Sequence, residues 1–188
     1  MRGCTGLTGN GRLQVELLAR RLAVEEPCDV LYTTPRRRAQ ESAMILSAAL
    51  GLAVATEPGL SGPDHGEADG QPWDQVKTGF GGSPRSDPGR PYAVGSETWS
   101  QYLARASGAI AAVVQRHHGQ RILIAGHGET VDAAAMLFFC LPPGFSTRTG
   151  FETGHAAITR WHLHRNRLGQ ELWMLAAHND TMHLASTS

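Results

Sequence analysis

The sequence predicts an α/β fold of three layers, with helices on both faces of a mostly parallel sheet. Two observations carry this. Short apolar runs alternate with segments whose apolar residues recur at helical spacing, the pattern of strand–helix–strand units. In addition, Arg121–Thr130, RILIAGHGET, runs from a buried-strand pattern through Gly126-His127-Gly128 into a helical pattern over Val131–Phe139. That places a histidine at the carboxyl end of a strand, where ligands bind in open α/β sheets.

The elements follow in order. Thr8 is placed to cap a first helix carrying Leu13, Leu17, Leu18 and Leu22 on one side. Asp29–Thr33 reads as a strand. Pro35 opens a second helix, with Ala39, Ala43, Leu46 and Leu50 at helical spacing and Gly51 as its stop. Leu52–Thr56 reads as a short strand. Pro58–Pro91 is rich in Gly, Pro, Asp and Ser, and is expected to be a long lid-like loop (about residues 58–95) with a helical turn at Trp73–Val76. Ser96 is expected to cap an amphipathic helix bearing Trp99, Leu103, Ile110, Val113 and Val114. The helix after His127 is expected to end near Leu141-Pro142-Pro143. Ala156–His164 and Glu171–Ala177, joined by a turn at Asn166–Gly169, read as an edge hairpin.

The 188 residues suit a single domain, 1–188. Apolar residues make up 41% and charged residues 18%, a globular balance. With 17 basic and 17 acidic residues the formal charge is zero, so no nucleic-acid or anionic-membrane partner is expected. No apolar run has transmembrane length and no signal peptide is read at the start. Cys4, Cys28 and Cys140 lack metal or disulfide spacing and read as reduced thiols, which implies a cytoplasmic location. No metal and no cofactor are expected. His117-His118 is read as exposed loop, and His162 and His164 as one solvated face of a strand.

Two sites of chemistry stand out. His127, between glycines and at a helix start, suits general acid–base, nucleophilic or phosphate chemistry. Thr33-Thr34-Pro35-Arg36-Arg37-Arg38 also passes from a strand end into a helix start, so its arginines face the same edge of the sheet. Guanidinium groups match phosphate oxygens in a fork. Three consecutive positive charges oppose the helix dipole, which points to a compensating anion.

These segments resemble the histidine phosphatase superfamily, also called phosphoglycerate mutase-like. Leu7–Gln14 is similar to its "LTxxGRxQA" segment, Thr33–Ala43 to "SSPLxRAxQTA", Gly95-Ser96-Glu97 to "GGES" with Arg105 in the helix beyond, Gly126-His127-Gly128 to "SHG", and Asn179–Leu184 to "NDTxHL". The resemblance implies phosphoryl transfer through a phosphohistidine, with His127 as the second, supporting histidine and Arg38 as the phosphate-binding arginine. It implies a carboxyl group as the acid, and no metal.

The chain departs from the pattern in two places. It contains no Arg-His-Gly, the motif that carries the attacking histidine on a first central strand, and Met1–Gly6 read as no buried strand. The expected sheet therefore lacks that strand, which exposes an edge and favours association; a homodimer is left open. Either the chain begins late or it is a degenerate member. Gly62 stands where the family's "LxExxxGxxxG" carries its acid, with Asp64, His65 and Glu67 nearby. Glu129 after His127-Gly128 is also unusual. The expected site is thus catalytic His127 and Arg38, with Asp64 or Glu67 as acid, and Arg36, Arg37, His65, Ser96 and Gly128 toward a small phosphorylated or anionic substrate. The expected function is hydrolysis of a small phosphomonoester when a nucleophile segment is present. The alternative is an inactive or repurposed member that binds an anionic ligand or partner.

Overall fold

The computed structural model describes residues 4–25, 27–142 and 150–187. Thr8 caps the first helix as its position predicts. Its hydroxyl accepts the Gly11 N–H at 3.0 Å, and α1 runs Gly9–Glu25. The buried face of α1 is Val15, Leu18, Ala19 and Leu22, while Leu13 stays exposed.

The sheet is built around β1 (Val30–Thr33), which pairs in parallel with β2 (Val54–Thr56) on one edge and β3 (Ile122–Ala125) on the other. Successive side chains of a strand face opposite ways, and β1 shows why there are three layers. Leu31 packs with Val15, Leu18, Leu22, Ala43 and Leu46 of α1 and α2 (Arg37–Leu50). Tyr32, the next residue, packs with Trp99, Tyr102, Ile110, Val113, Ala133 and Met136 of α4 (Trp99–Arg116) and α5 (Gly128–Phe138). Gly51 ends α2 in the left-handed conformation, φ 68°, which only glycine adopts at no cost.

The closing hairpin, β4 (Ile158–Arg165) and β5 (Glu171–Asp180), forms a sheet of its own. Among the described residues β3 has a strand on one side only, and β4 pairs only with β5. All four residues of β3 are apolar, yet each is only half-buried, and no described strand pairs with its outer edge. Residues 1–3 and Pro143 of the segments discussed above lie outside the described residues.

Three details differ from the sequence expectation. The long α4 is capped by Thr98 rather than Ser96: Thr98 accepts the Gln101 N–H at 3.2 Å, and the Gln101 side chain accepts the Thr98 N–H at 2.9 Å. Ser96 instead accepts the Ala93 N–H. The segment after Pro58 carries more structure than the helical turn expected at Trp73–Val76. It holds α3 (Trp73–Phe80) and three short 3-10 turns, at Pro58–Leu60, Gly66–Ala68 and Pro84–Ser86. Finally, His117 is no bare loop residue, since its Nε2 lies 2.8 Å from the Tyr32 hydroxyl.

Two ion pairs fasten the lid to the body. Arg85 forms a two-pronged pair with Asp132 of α5, with Nη2 to Oδ2 at 2.7 Å, and its guanidinium lies 4.5 Å from the Trp99 ring centroid. Arg105 of α4 donates two bonds to Glu97 and three to the carbonyls of Gly59, Ser61 and Gly62. The terminal Asn-Asp-Thr segment is structural as well. Asn179 (φ 52°) accepts the Gly154 N–H, and Asp180 receives a fork from Arg21 of α1 at 2.9 and 2.7 Å.

Candidate functional site

The carboxyl ends of β1 and β3 bring the two motifs together. Thr33, fully buried, donates its hydroxyl to the Ala125 carbonyl at 3.1 Å, tying the strand ends side by side. Thr34, equally buried, holds His127 Nε2 at 3.0 Å from its hydroxyl. His127 is the extended residue (φ −128°, ψ 163°) that precedes α5, and its N–H donates to Thr130 Oγ1 at 3.0 Å. Gly126 is required by this turn, because a Cβ there would stand 2.8 Å from that hydroxyl oxygen.

Burial pushes His127 down to a pKa of about 3, and the charges of Arg38 and then Arg36 add to the effect. The imidazole is therefore neutral near pH 7, facing two guanidinium groups without adding a third charge. A dianion placed among them would oppose the arginine charges and favour the protonated imidazole.

The three arginines take separate positions. Arg36 is only 7% exposed; its Nη2 donates to the Pro63 carbonyl at 3.0 Å, and its buried Nε has no partner among the described residues. Gly62 lies over this guanidinium, with a Cβ position 3.6 Å from Nη2. Where the family pattern carries a carboxyl side chain, this chain has a buried glycine, whose Cβ position is at contact distance from a buried cation. Arg37 is exposed and pairs with Glu41 at 2.8 Å, one turn along α2. Arg38 is exposed, and its backbone N–H donates to the Cys4 sulfur at 3.4 Å.

The lid residues are distributed as follows. Asp64 is exposed and its carboxylate accepts the Gly66 N–H at 3.0 Å. Glu67 is exposed on the next turn. His65 is half-buried, hydrogen-bonded through Nδ1 to the Tyr92 hydroxyl, and its pKa is lowered by burial and by Arg36. Ser96 lines a groove with Asp64, Glu97 and Arg105 that His127 and the three arginines 36–38 do not border. Gly128 is the exposed first residue of α5. Thr34 and Tyr92 were not singled out from the sequence. Thr34 was legible in principle, being the last residue before Pro35 at the strand end.

Cys4 is a further unforeseen feature. Burial acts to raise the Cys4 thiol, but the Arg38 N–H, the Gly6 N–H and the Arg38 charge together outweigh it and lower its pKa, whereas burial raises that of Cys28. Iodoacetamide at pH 8 should alkylate Cys4 faster than Cys28, read by peptide mass spectrometry. Equal rates at both thiols would show that the Arg38 contact does not persist in solution.

Among the described residues no group of three metal-ligating side chains comes together, and no helix is long and apolar enough to cross a membrane.

The family model of the histidine phosphatase superfamily (branch 1) matches residues 2–176. Phosphoserine phosphatase 1 of Hydrogenobacter thermophilus is 27% identical over 164 residues, covering 86% of this chain and 76% of that protein. Among solved structures, mycobacterial glucosyl-3-phosphoglycerate phosphatase with inorganic phosphate matches with a TM-score of 0.77 at 22% identity, over 97% of this chain and 92% of the other. A phosphoserine phosphatase mutant from Entamoeba histolytica in complex with phosphoserine matches with a TM-score of 0.71 at 18% identity, over 98% and 90%. Both likenesses are of fold.

Proposed function

The chain belongs to the histidine phosphatase superfamily, and from that premise we propose that it holds the phosphoryl group of a small phosphomonoester among His127, Arg38 and Arg36 for hydrolysis. One observation carries this reading: a buried guanidinium with an unpartnered Nε, its charge acting on a neutral histidine at the carboxyl end of a parallel sheet. Isolated buried charge is costly, and an anion bound there supplies the missing partner. The names of the relatives, which act on phosphoserine and on glucosyl-3-phosphoglycerate, support a phosphorylated small molecule as the ligand.

Phosphoryl transfer needs positioning and positive charge at the equatorial oxygens more than it needs covalent chemistry from the protein. Arg36 and Arg38 supply the charge. Neutral His127, oriented by Thr34, supplies a hydrogen bond and takes on positive character as the dianion settles. Asp64 and Glu67 are the lid carboxyl groups available to protonate the leaving oxygen. These 188 residues contain no Arg-His-Gly, so hydrolysis is proposed for a form of the protein that carries the attacking histidine. The residues present perform the binding half.

The 188-residue chain should therefore be stabilised by phosphate and by vanadate, by about 2.7 kcal/mol at a hundredfold excess over Kd, and should hydrolyse no aryl phosphate. Arg36→Met and His127→Ala should abolish the stabilisation. An unchanged melting temperature with both anions refutes the pocket; aryl phosphate hydrolysis that disappears in His127→Ala would refute the assignment of His127 to a supporting role.

A further inference from the structure

Beside the phosphoryl site lies a cavity of about 240 Å³ between the lid and the start of α5, walled by Pro63, His65, Trp73, Lys77, Tyr92 and Glu129. It adjoins that site on two sides. Pro63 is the residue whose carbonyl holds Arg36, and Glu129 is two residues beyond His127. The cavity therefore lies beside the residues proposed to hold the phosphoryl group. Its size is below the roughly 300–1,000 Å³ of sites for drug-sized ligands, so it suits a leaving group of a few heavy atoms.

The charges on its walls are specific. Arg85 and Glu97 also border the cavity, but Asp132 and Arg105 engage each of them in a two-pronged pair. His65 is held toward its neutral form by burial. That leaves one carboxylate, Glu129, and one ammonium, Lys77, without a hydrogen bond or ion pair among the described residues. Lys77 Nζ lies 5.8 Å from the Trp73 ring centroid, stacked rather than paired. The charge of Glu129 reaches His65 and Tyr92 and favours the protonated form of both, so its carboxylate acts on the cavity. His65, Trp73 and Tyr92 stand with ring centroids 5.4–5.8 Å apart and give the cavity an aromatic wall.

A carboxylate on the wall of a cavity beside a phosphate pocket does nothing to attract the phosphoryl dianion. Its position in the first turn of α5 is favourable to the helix dipole, but that accounts for neither its place on the cavity wall nor the unpaired lysine on the same wall. A ligand with both charges accounts for all three facts. We propose that this cavity receives the leaving alcohol and selects one that is a small amino-acid zwitterion, its ammonium at Glu129 and its carboxylate at Lys77. The aromatic wall covers the carbon atoms between and adds a cation–π component at the ammonium. This inference rests on the phosphate-pocket reading above.

The test is ligand-induced thermal stabilisation of the 188-residue chain by O-phospho-L-serine, phosphoethanolamine, phosphoglycolate and inorganic phosphate. O-phospho-L-serine should bind at least tenfold more tightly than phosphoglycolate or phosphate, with phosphoethanolamine between. Glu129→Gln should reduce both amine-bearing ligands to the level of phosphate, while phosphate itself binds at least as well. Lys77→Met should lower O-phospho-L-serine to the level of phosphoethanolamine. Phosphoglycolate matching O-phospho-L-serine in the unaltered chain, or the preference surviving in Glu129→Gln, overturns the proposal while leaving the phosphate pocket intact. Failure of all four ligands, phosphate included, overturns the pocket itself and this proposal with it.

Discussion

Replacing Arg85 with alanine should destabilise the chain by about 3 kcal/mol, the lower end of the cost of breaking a buried ion pair from one side. Asp132 is 9% exposed and burial already raises its pKa against the pull of Arg85. Without the guanidinium a carboxylate on α5 loses its two-pronged partner and must be protonated or hydrated. Arg85 is itself partly exposed, which is why the upper end of the range does not apply. The substitution also removes the cation from the Trp99 ring and detaches the turn at Pro84–Ser86 from α5. Urea unfolding of Arg85→Ala beside the double variant Arg85→Ala/Asp132→Leu separates these contributions. The double variant should regain more than half of the lost stability, since the orphaned charge goes with it. A loss below about 0.5 kcal/mol in the single variant, typical of a surface pair, would mean the lid does not rest on α5 in solution.

The second large effect is in acid. The folded-state pKa of His127 is about 3 against an ordinary 6.5. A depressed histidine contributes stability that is fully present above 6.5 and lost as pH falls toward 3, because the unfolded chain binds the proton and the folded chain does not. At about 1.4 kcal/mol per pH unit, lowering the pH from 6.5 to 5 should cost about 2 kcal/mol through this residue. His127→Gln should lack that component. His65 and His183 are depressed too, and so contribute to the slope of both proteins and cancel in the difference. The paired carboxylates Glu41 and Asp180 titrate below this window. Saturating phosphate should flatten the wild-type slope, as the anion offsets the charge the proton adds. Equal slopes in the two proteins would show that His127 is solvated and not facing the arginines.

Much of this was legible along the chain. Thr8, Gly51 and the Asn166–Gly169 turn act through local backbone chemistry, which needs only a few neighbouring residues. The Thr-Thr-Pro-Arg and Gly-His-Gly segments announced two strand ends facing one ligand, because a parallel sheet puts all its carboxyl ends on one edge. The cap of α4 was misjudged by two residues because Ser96 and Thr98 are both good caps, and only the partner Gln101 distinguishes them. The lid was hardest to read. Its glycines and prolines show the start of α3 at Trp73 and hide its second half, which is ordered by packing Val76 and Phe80 and by Gly81 beyond them.

The sequence by itself determined the fold class, the family and the meeting of His127 with the Arg36–Arg38 segment, since these follow from periodicity and from motifs in a set order. The family resemblance put Arg38 first among three adjacent arginines, and it gave no sign that Arg36 is the buried one. Arg36 is the extended residue before α2 while Arg37 and Arg38 are its first two helical residues, about 100° apart, so the three side chains part, and only the lid segment at Pro63 decided that Arg36 would be buried. The pairing of Arg85 with Asp132, and the position of Glu129 and Lys77 on one cavity, were likewise decided by tertiary structure. Each joins residues from distant segments, and a charge acquires its meaning only from what remains unpaired around it once the chain has folded.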